Sequence, residues 1–217
     1  FMRSGDGNES DKAVFAKILV EFKKQTELES IYLGDSALYS QENIQLMEGI
    51  KWITRVPLTI KKARELRQTV DILDNEETEE MSQVEKGRVK KLSQKGYKWK
   101  GEEVIYGGIK QRWLIVESEA RKISDSEKLE NKIEQELVKT NKLLSQLEKE
   151  EFEHPSQISY QVNGINKKLK FFTIQETEII EVTNKEGKTV FQLKGDITEE
   201  SEEIERKRKE TGRFILA

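Results

Sequence analysis

A short apolar run that ends in a single carboxylate constrains the fold of this chain more than any other segment. The run from Ile31 to Gly34 contains aromatic and β-branched residues and no charge, which predicts a buried β-strand. Asp35 follows directly, and Ser40 is placed to cap a helix that begins at Gln41. A carboxylate at the carboxyl end of a buried strand lies where α/β proteins place their chemistry. The same carboxylate can instead cap a turn, so both interpretations of Asp35 stay open here.

The segments around this strand alternate between helical and strand-like patterns. Apolar residues at helical spacing predict a helix over about 11–27, capped by Asn8 or Ser10. Further on, the pattern predicts a helix over 40–48, a strand over 51–56 and a helix from a Thr59 cap to about Val70. Such alternation indicates an α/β layer.

Two blocks of opposite charge follow this layer. Residues 71–85 contain seven acidic side chains and no basic one, whereas residues 86–100 contain seven basic side chains and no acidic one. The basic block includes Lys90, Lys91, Lys95 and Lys98, with Tyr97 and Trp99 between them. Lysines attract phosphates without reading sequence, and an aromatic ring can stack on an unpaired base, so this block is a candidate DNA contact. Alternatively, the two blocks form solvated helices that pair with each other.

The rest of the chain predicts a mixed helical and β-rich module. The pattern indicates a hairpin over 104–116, a helix over 126–151 that ends at His154 and Pro155, strands over 158–162, 169–174, 178–183 and 189–193, and a charged helix from about 197 that ends at Gly212. Turns are expected at 163–164 and 185–187. Because 36% of residues are charged and 35% are apolar, we expect extended solvated helices rather than one dense globule.

Composition excludes several classes of site. The chain has no Cys, so disulfides, thiol nucleophiles and thiolate zinc sites are excluded, and its single His, His154, cannot anchor a multi-histidine metal site. No apolar run approaches the ~18 residues of a membrane span and no signal peptide is visible, so a cytoplasmic setting is expected. The net charge of −3 argues against strong DNA binding by this chain alone.

Four segments resemble bacterial insertion-sequence transposases of the DDE type, and they occur in the same order as in that family. Residues 34–43, Gly-Asp-Ser-Ala-Leu-Tyr-Ser-Gln-Glu-Asn, resemble the segment around the second catalytic Asp, although family members often have Ala where this chain has Gly34. The other three are residues 5–11, 52–57 and 212–217. The sequence from Gln111 to Trp113 also resembles part of the insertion region of these enzymes.

The resemblance implies an α+β or α/β fold with a partial RNase H-like catalytic core. In this reading residues 1–60 belong to the core, 61–211 form an insertion domain, and 212–217 return to the core as a strand. Both ends of the chain read as interrupted strands, so we expect an internal fragment whose first Asp and catalytic Glu lie outside it. The resemblance thus implies a bacterial enzyme whose full-length form acts as a homodimer on double-stranded DNA, cutting transposon ends and joining them to a target.

The resemblance also implies site residues. Asp35 would be both the catalytic residue and a ligand of two Mg²⁺ or Mn²⁺ ions, which one carboxylate cannot hold tightly by itself. Arg55 would bind a phosphate of the cut strand, or else form a surface ion pair. Asn8 and Asp11 would cap a helix near the site, Arg112 would contact DNA from the hairpin, and Trp113 is expected in the core. The alternative function is a catalytically dead remnant that serves as a DNA or protein interaction module.

Overall fold

The computed structural model describes residues 11–25, 30–72 and 81–217. These residues form a mixed α+β structure with seven helices and three small sheets, one of them a parallel pair. The chain divides into two compact units, one that ends at Lys122 and also includes Gly212–Ala217, and one of Ile123–Thr211. The expected boundary at residue 60 differs from this division, in which the described residues between 61 and 122 belong to the first unit.

The described residues form seven helices and seven strands. The helices are α1 (Asp11–Gln25), α2 (Gln41–Leu46), α3 (Lys61–Thr69), α4 (Gln83–Gln94), α5 (Glu119–Leu147), α6 (Pro155–Asn166) and α7 (Ser201–Glu210). The strands are β1 (Tyr32–Gly34), β2 (Trp52–Thr54), β3 (Tyr97–Tyr106), β4 (Ile109–Ser118), β5 (Phe172–Thr183), β6 (Thr189–Glu199) and β7 (Arg213–Leu216).

Two of the three sheets are joined in the first unit through β2 and β7. Strand β1 is parallel to β2, whereas β4 pairs antiparallel with both β3 and β7. Between β2 and β7, Thr54 and Ala217 exchange two backbone hydrogen bonds of 3.0 Å, and the Val56 amide donates to the Ile215 carbonyl at 3.0 Å. The strands therefore follow one another in the order β1, β2, β7, β4, β3, and the chain's last strand lies at the centre.

An aromatic cluster fills the core on one face of this sheet. Tyr39 stacks on Tyr106 with ring centroids 5.2 Å apart and meets Trp113 edge-on at 6.1 Å. The Tyr39 hydroxyl donates to the Gln111 side chain at 2.6 Å and accepts from the Trp113 indole at 3.0 Å. Because each buried polar atom of this cluster has a partner, the core avoids the cost of unpaired groups. Burial of the Tyr39 hydroxyl raises its pKa by more than its hydrogen bonds with Trp113 and Gln111 lower it.

The second unit is built on a long hairpin and helices. Strands β5 and β6 pair over their whole length, with a bulge between Glu176 and Glu178. Helices α5 and α6 contribute Leu144, Leu147, Ile158 and Val162 to a core that also contains Ile174 and Leu193. A smaller cluster contains Leu129, Phe171, Phe172 and Ile204.

Several sequence-based boundaries in the second unit are wrong. Residues 158–162 form part of α6 rather than a strand, because Ile158 and Val162 face the core one helical turn apart and Pro155 occupies a first-turn position. His154 and Pro155 therefore begin α6 rather than end α5, which stops at Leu147. The turn predicted at 163–164 lies inside α6, and the four strands predicted between residues 158 and 193 are replaced by one two-stranded hairpin, β5 and β6.

Other boundaries are shifted. Helix α5 begins at Glu119, seven positions before the predicted start at residue 126. Helix α7 begins at Ser201 rather than near residue 197, because Ile197 still pairs with Ile174 in the hairpin. Thr59 is not the cap of α3: that helix follows Ile60, which has no side-chain cap. The basic block is also divided, since α4 ends at Gln94 and β3 begins at Tyr97.

The strand that precedes Asp35 is less buried than predicted. Leu33 is 77% exposed and Ile31 is 59% exposed. Among the described residues, β1 pairs with β2 alone, so it lies at an edge of the sheet. The apolar sequence of β1 therefore correctly predicted a strand but wrongly predicted that the strand is buried.

Candidate functional site

Asp35 lies in a tight turn directly after β1. Its Oδ1 accepts a hydrogen bond from the Ala37 amide at 2.8 Å, and its carbonyl accepts from the Leu38 amide at 3.2 Å. The Thr54 hydroxyl, at the end of β2, donates to the same carbonyl. The side chain of Asp35 is exposed. The turn-capping interpretation is therefore confirmed, and it leaves open a further role for the charge.

The residues after Asp35 hold this turn against the core. Ser40 accepts from the Asn43 amide at 3.3 Å, which confirms the predicted cap of α2. The Asn43 side chain is buried and donates to the Leu38 carbonyl at 3.1 Å. Leu38 and Tyr39 are themselves buried. Several residues of the segment that resembles transposases thus stabilise this fold, through a helix cap, a buried hydrogen bond and core packing.

Asp35 does not form a metal site with the other described residues. No group of three His, Cys, Asp or Glu side chains within residues 11–25, 30–72 and 81–217 could hold a metal ion. A cavity of about 660 Å³ next to Asp35 is lined by apolar side chains, among them Val14, Phe15 and Leu33. Hard cations such as Mg²⁺ require several oxygen ligands, so the two-metal site implied by the resemblance does not fit these residues alone.

Arg55 and Asp35 both lie at the carboxyl ends of the parallel strands β1 and β2. Because Gly34 is paired with Thr54 in the parallel register, Asp35 and Arg55 are the next residue on each strand. The guanidinium of Arg55 lies over the ring of Phe214, with Cζ 4.7 Å from the centroid, and Arg121 lies over the same ring at 5.8 Å. Both arginines are exposed. The charged contact of Arg55 is thus with an aromatic ring rather than the surface ion pair considered above.

The predicted basic surface is present on α4 and the start of β3. Helix α4 begins with a capping box, in which Ser82 accepts from the Glu85 amide and Glu85 accepts from the Ser82 amide. These hydrogen bonds from Ser82 lower the pKa of Glu85. None of the residues of α4 is buried. The exposed residues of this surface are Lys90, Lys91, Lys95, Tyr97 and Lys98.

The predicted pairing of the basic block with the acidic block involves residues outside the described part of the chain. Residues 73–80, which carry most of the acidic block, lie outside the described part of the chain. The predicted capping of a helix by Asn8 and Asp11 is also untested, because Asn8 lies outside the described residues. Helix α1 begins at Asp11. Both remain predictions.

Trp99 and Arg112 lie on the face of the sheet opposite the aromatic core. Trp99 is partly buried and Arg112 is exposed, and both line a cavity of about 640 Å³ together with Ile53, Leu114 and Leu216. Trp113, on the other face, is fully buried, so its predicted place in the core is confirmed. Trp99, unlike Trp113, therefore lines a cavity that is open to solution.

Sequence reasoning missed Arg121 and Phe214 as neighbours of Arg55. Phe214 belongs to β7, and its contact with Arg55 depends on the return of a strand that is distant in sequence. Arg121 was missed because the long helix was predicted to start at residue 126. Ser118 was an available signal: its hydroxyl accepts from the Arg121 amide at 3.5 Å, as expected for a residue preceding a helix.

Comparisons with protein-family models, with curated proteins and with solved structures gave no significant match. Within the described residues, none of the helices has the length and apolar character needed to cross a membrane.

Proposed function

We propose that this chain is part of a DNA transposase of the DDE type, in which Asp35 is the second of the catalytic carboxylates. The observation that carries the proposal is the position of Asp35, an exposed carboxylate directly after β1 and next to the end of the parallel strand β2. Functional groups in α/β proteins gather at the carboxyl ends of parallel strands. The ordered resemblance of residues 5–11, 34–43, 52–57 and 212–217 to this family supports the same assignment.

The reaction class is cleavage and transfer of a phosphodiester strand at the ends of an insertion sequence. Arg55, beside Asp35 in register, carries the charge and the planar donors suited to a phosphate of the cut strand. The basic surface of α4 and β3 supplies non-specific attraction to double-stranded DNA. Because the described residues contain no group of three or more potential metal ligands, we expect the isolated chain to bind Mg²⁺ or Mn²⁺ weakly and to cut no DNA.

The test is substitution of Asp35 by Asn within the complete reading frame. Asn retains a side-chain oxygen that can accept from the Ala37 amide, so the turn persists while the charge is lost. We expect strand transfer to fall by roughly 10³-fold or more, as for the loss of an essential catalytic group, with DNA binding and thermal stability unchanged. Glu42→Gln, which removes an exposed carboxylate from the first turn of α2, is the matched control. Retained strand transfer in the Asp35 variant would remove it from the catalytic set.

A non-catalytic interaction module is the second candidate. Two observations favour it: the absence of a metal-binding group around Asp35 in the described residues, and the structural tasks of Ser40 and Asn43 in the segment that resembles transposases. This candidate predicts DNA binding that depends on the cations of α4 and survives Asp35→Asn without any strand transfer by the parent protein. Divalent-dependent nicking of transposon-end DNA by the pure 217-residue chain, lost in Asp35→Ala, would contradict it.

A further inference from the structure

Strand β3 forms one edge of the sheet in the first unit. Among the described residues it pairs with β4 alone, in a register that runs from Tyr97 to Tyr106 without a bulge. The Ser118 amide, opposite Tyr97, donates to the Gly212 carbonyl on the β7 side at 3.0 Å. Because antiparallel pairs alternate between hydrogen-bonded and non-hydrogen-bonded, the backbone N–H and C=O groups of the odd-numbered residues of β3 point away from β4, towards the outer edge.

The charges on β3 are divided by sign about a glycine. Lys100 precedes Gly101, and Glu102 and Glu103 follow it. Glu103 is paired with Lys110 across the hairpin at 2.8 Å, whereas within the described part of the chain neither Lys100 nor Glu102 forms an ion pair. Lys100 and Glu102 lie two positions apart, so both project from the same face of β3.

A second copy of the chain matches this edge in one register. When two β3 strands pair antiparallel about a two-fold axis at Gly101, Lys100 of each copy faces Glu102 of the other. The outward N–H and C=O groups of Gly101 then form a hydrogen-bonded pair, and the Lys–Glu positions fall on non-hydrogen-bonded pairs, where side chains approach most closely. Moving the axis by one residue, to Lys100 or to Glu102, sets two like charges opposite each other.

Charged side chains on an edge strand usually prevent pairing with other chains. An edge with one sign of charge repels a second copy in every register. The edge of β3 instead has a cation on one side of Gly101 and an anion on the other, so it repels a second copy in the shifted registers and attracts it in the centred one. The charge pattern therefore protects the edge and also selects one partner.

We propose that β3 is a dimerisation edge, at which a second copy of this chain pairs antiparallel about Gly101 and forms two Lys100–Glu102 ion pairs across the junction. The partner is a second copy rather than an unrelated strand, because the edge is complementary in charge to itself. The pairing does not depend on the proposed function, since neither DNA nor a divalent ion takes part in it.

Sedimentation equilibrium of the full chain in the absence of DNA measures the dimer. The parent chain should form a species of twice its mass of 25.3 kDa as the protein concentration rises. Lys100→Glu and Glu102→Lys each set like charges opposite each other at both symmetric positions, so each should weaken dimerisation by about 30-fold or more. The double variant that carries both reversals restores opposite charges and should recover dimerisation. The control is Lys62→Glu, which reverses an exposed charge on α3 of the same unit and should leave dimerisation unchanged.

Mixing the two single variants tests the register directly. Lys100→Glu has two anions at these positions and Glu102→Lys has two cations, so an equimolar mixture should form heterodimers at concentrations where each variant alone is monomeric. Damage to the strand itself would not be reversed by mixing. Tryptophan fluorescence of each variant establishes that the first unit is folded, since all three tryptophans belong to it, at positions Trp52, Trp99 and Trp113.

A proline at Glu103 tests the backbone pairing. The Glu103 N–H points to the outer edge, so Glu103→Pro removes a donor to the second copy while the hydrogen bonds between β3 and β4 are retained. Dimerisation should be lost in this variant. Glu103→Gln is the matched control, because it loses the ion pair with Lys110 but keeps the backbone N–H, and it should dimerise like the parent chain.

The outcomes decide on the β3 interface alone. A parent dimer that is lost in both single reversals and regained in their mixture would uphold it. A parent chain that stays monomeric at every concentration up to its solubility would overturn it, and so would a dimer that persists in both single reversals or a mixture that stays monomeric. Retained strand transfer in Asp35→Asn would contradict the proposed function and leave this interface standing.

Discussion

The turn after β1 and the junction of β4 with β7 each contain a carboxylate, and the two use their oxygens differently. In the turn, Asp35 accepts one hydrogen bond from a backbone amide and is exposed. At the junction, Glu117 accepts from Arg213 at 2.8 Å and from Lys122 at 3.3 Å, and its side chain is 18% exposed. The carboxylate of Glu117 is therefore paired with two cations, whereas the carboxylate of Asp35 accepts a hydrogen bond from one uncharged backbone amide.

This difference shows which charge the fold itself requires. Removing the charge of Glu117 would leave the guanidinium of Arg213 partly buried without its anion. The turn at Asp35 needs only an acceptor oxygen, and a neutral side chain supplies one elsewhere: Asn184 accepts from the amides of Glu186 and Lys188 at 3.0 Å each. The negative charge at Asp35 is thus unexplained by local structure, which is consistent with a chemical role.

The largest effect is expected at the entry to β7. Gly212 has φ +73°, and a Cβ added there would lie 2.6 Å from the Lys122 Cβ and 2.8 Å from the Ser118 carbonyl oxygen. Gly212→Ala should lower the free energy of unfolding by roughly 3–4 kcal/mol, because backbone strain adds to the overlap with backbone atoms. Urea unfolding followed by tryptophan fluorescence measures this in the first unit.

Gly49→Ala is the matched control for that substitution. Gly49 has φ +80° in the same unit, and a Cβ there would meet nothing within 4 Å. It should therefore lower the free energy of unfolding by about 1 kcal/mol, from the left-handed backbone alone. Equal effects at both glycines would contradict the packing described at the β4–β7 junction.

The second largest effect is expected at Arg213. Its guanidinium also donates to the carbonyl oxygens of Val70, at 2.9 Å, and Arg67, at 3.2 Å. Arg213→Gln should lower the free energy of unfolding by about 2–3 kcal/mol, because Glu117 and two carbonyl groups lose a partner. The same unfolding assay checks this, with Lys110→Gln, at the exposed pair with Glu103 in the same unit, as the control. A loss below about 0.5 kcal/mol, the range of ordinary surface changes, would show that the junction does not depend on this cation.

The charge of Glu117 should also appear in the pH dependence of stability. Burial by itself would raise its pKa, but the hydrogen bond from Arg213 and the nearby Lys122 charge lower it below the usual value. A lowered pKa in the folded state stabilises the protein above the unfolded pKa of about 4.3, and that stabilisation is lost as the pH falls through the folded value. The stability difference between the parent protein and Glu117→Gln should therefore shrink as the pH falls below about 5. A difference that stays constant over this range would mean that the Glu117 pKa is not lowered.

Local signals in the sequence predicted much of the first unit. The cap at Ser40, the turn at Asp35 and the hairpin at Gly107-Gly108 each depend on residues within a few positions of one another, and all three are present. The errors in the second unit arose where local patterns compete. Residues 158–162 are apolar enough for a strand, but a helix places Ile158 and Val162 on the same core, and tertiary packing decided between the two.

The candidate site was predictable only in part for the same reason. Asp35 and Arg55 follow strand-like runs, so their common edge could be inferred from the sequence. The neighbours of Arg55 could not, because Phe214 reaches it through β7, more than a hundred positions later in the chain. Long-range strand pairing of this kind leaves little trace in local periodicity.

The smallest effect on stability is expected at Asp35. Asp35→Ala should lower the free energy of unfolding by about 0.5–1 kcal/mol, because the Ala37 amide loses its acceptor at an exposed position. Asp35→Asn should stay within about 0.5 kcal/mol of the parent protein, since an amide oxygen can replace the carboxylate oxygen. Unfolding of both variants by urea, followed by tryptophan fluorescence, measures this difference. A large loss of unfolding free energy in Asp35→Asn would mean that the fold itself requires the negative charge. That result would contradict the argument that the charge serves catalysis.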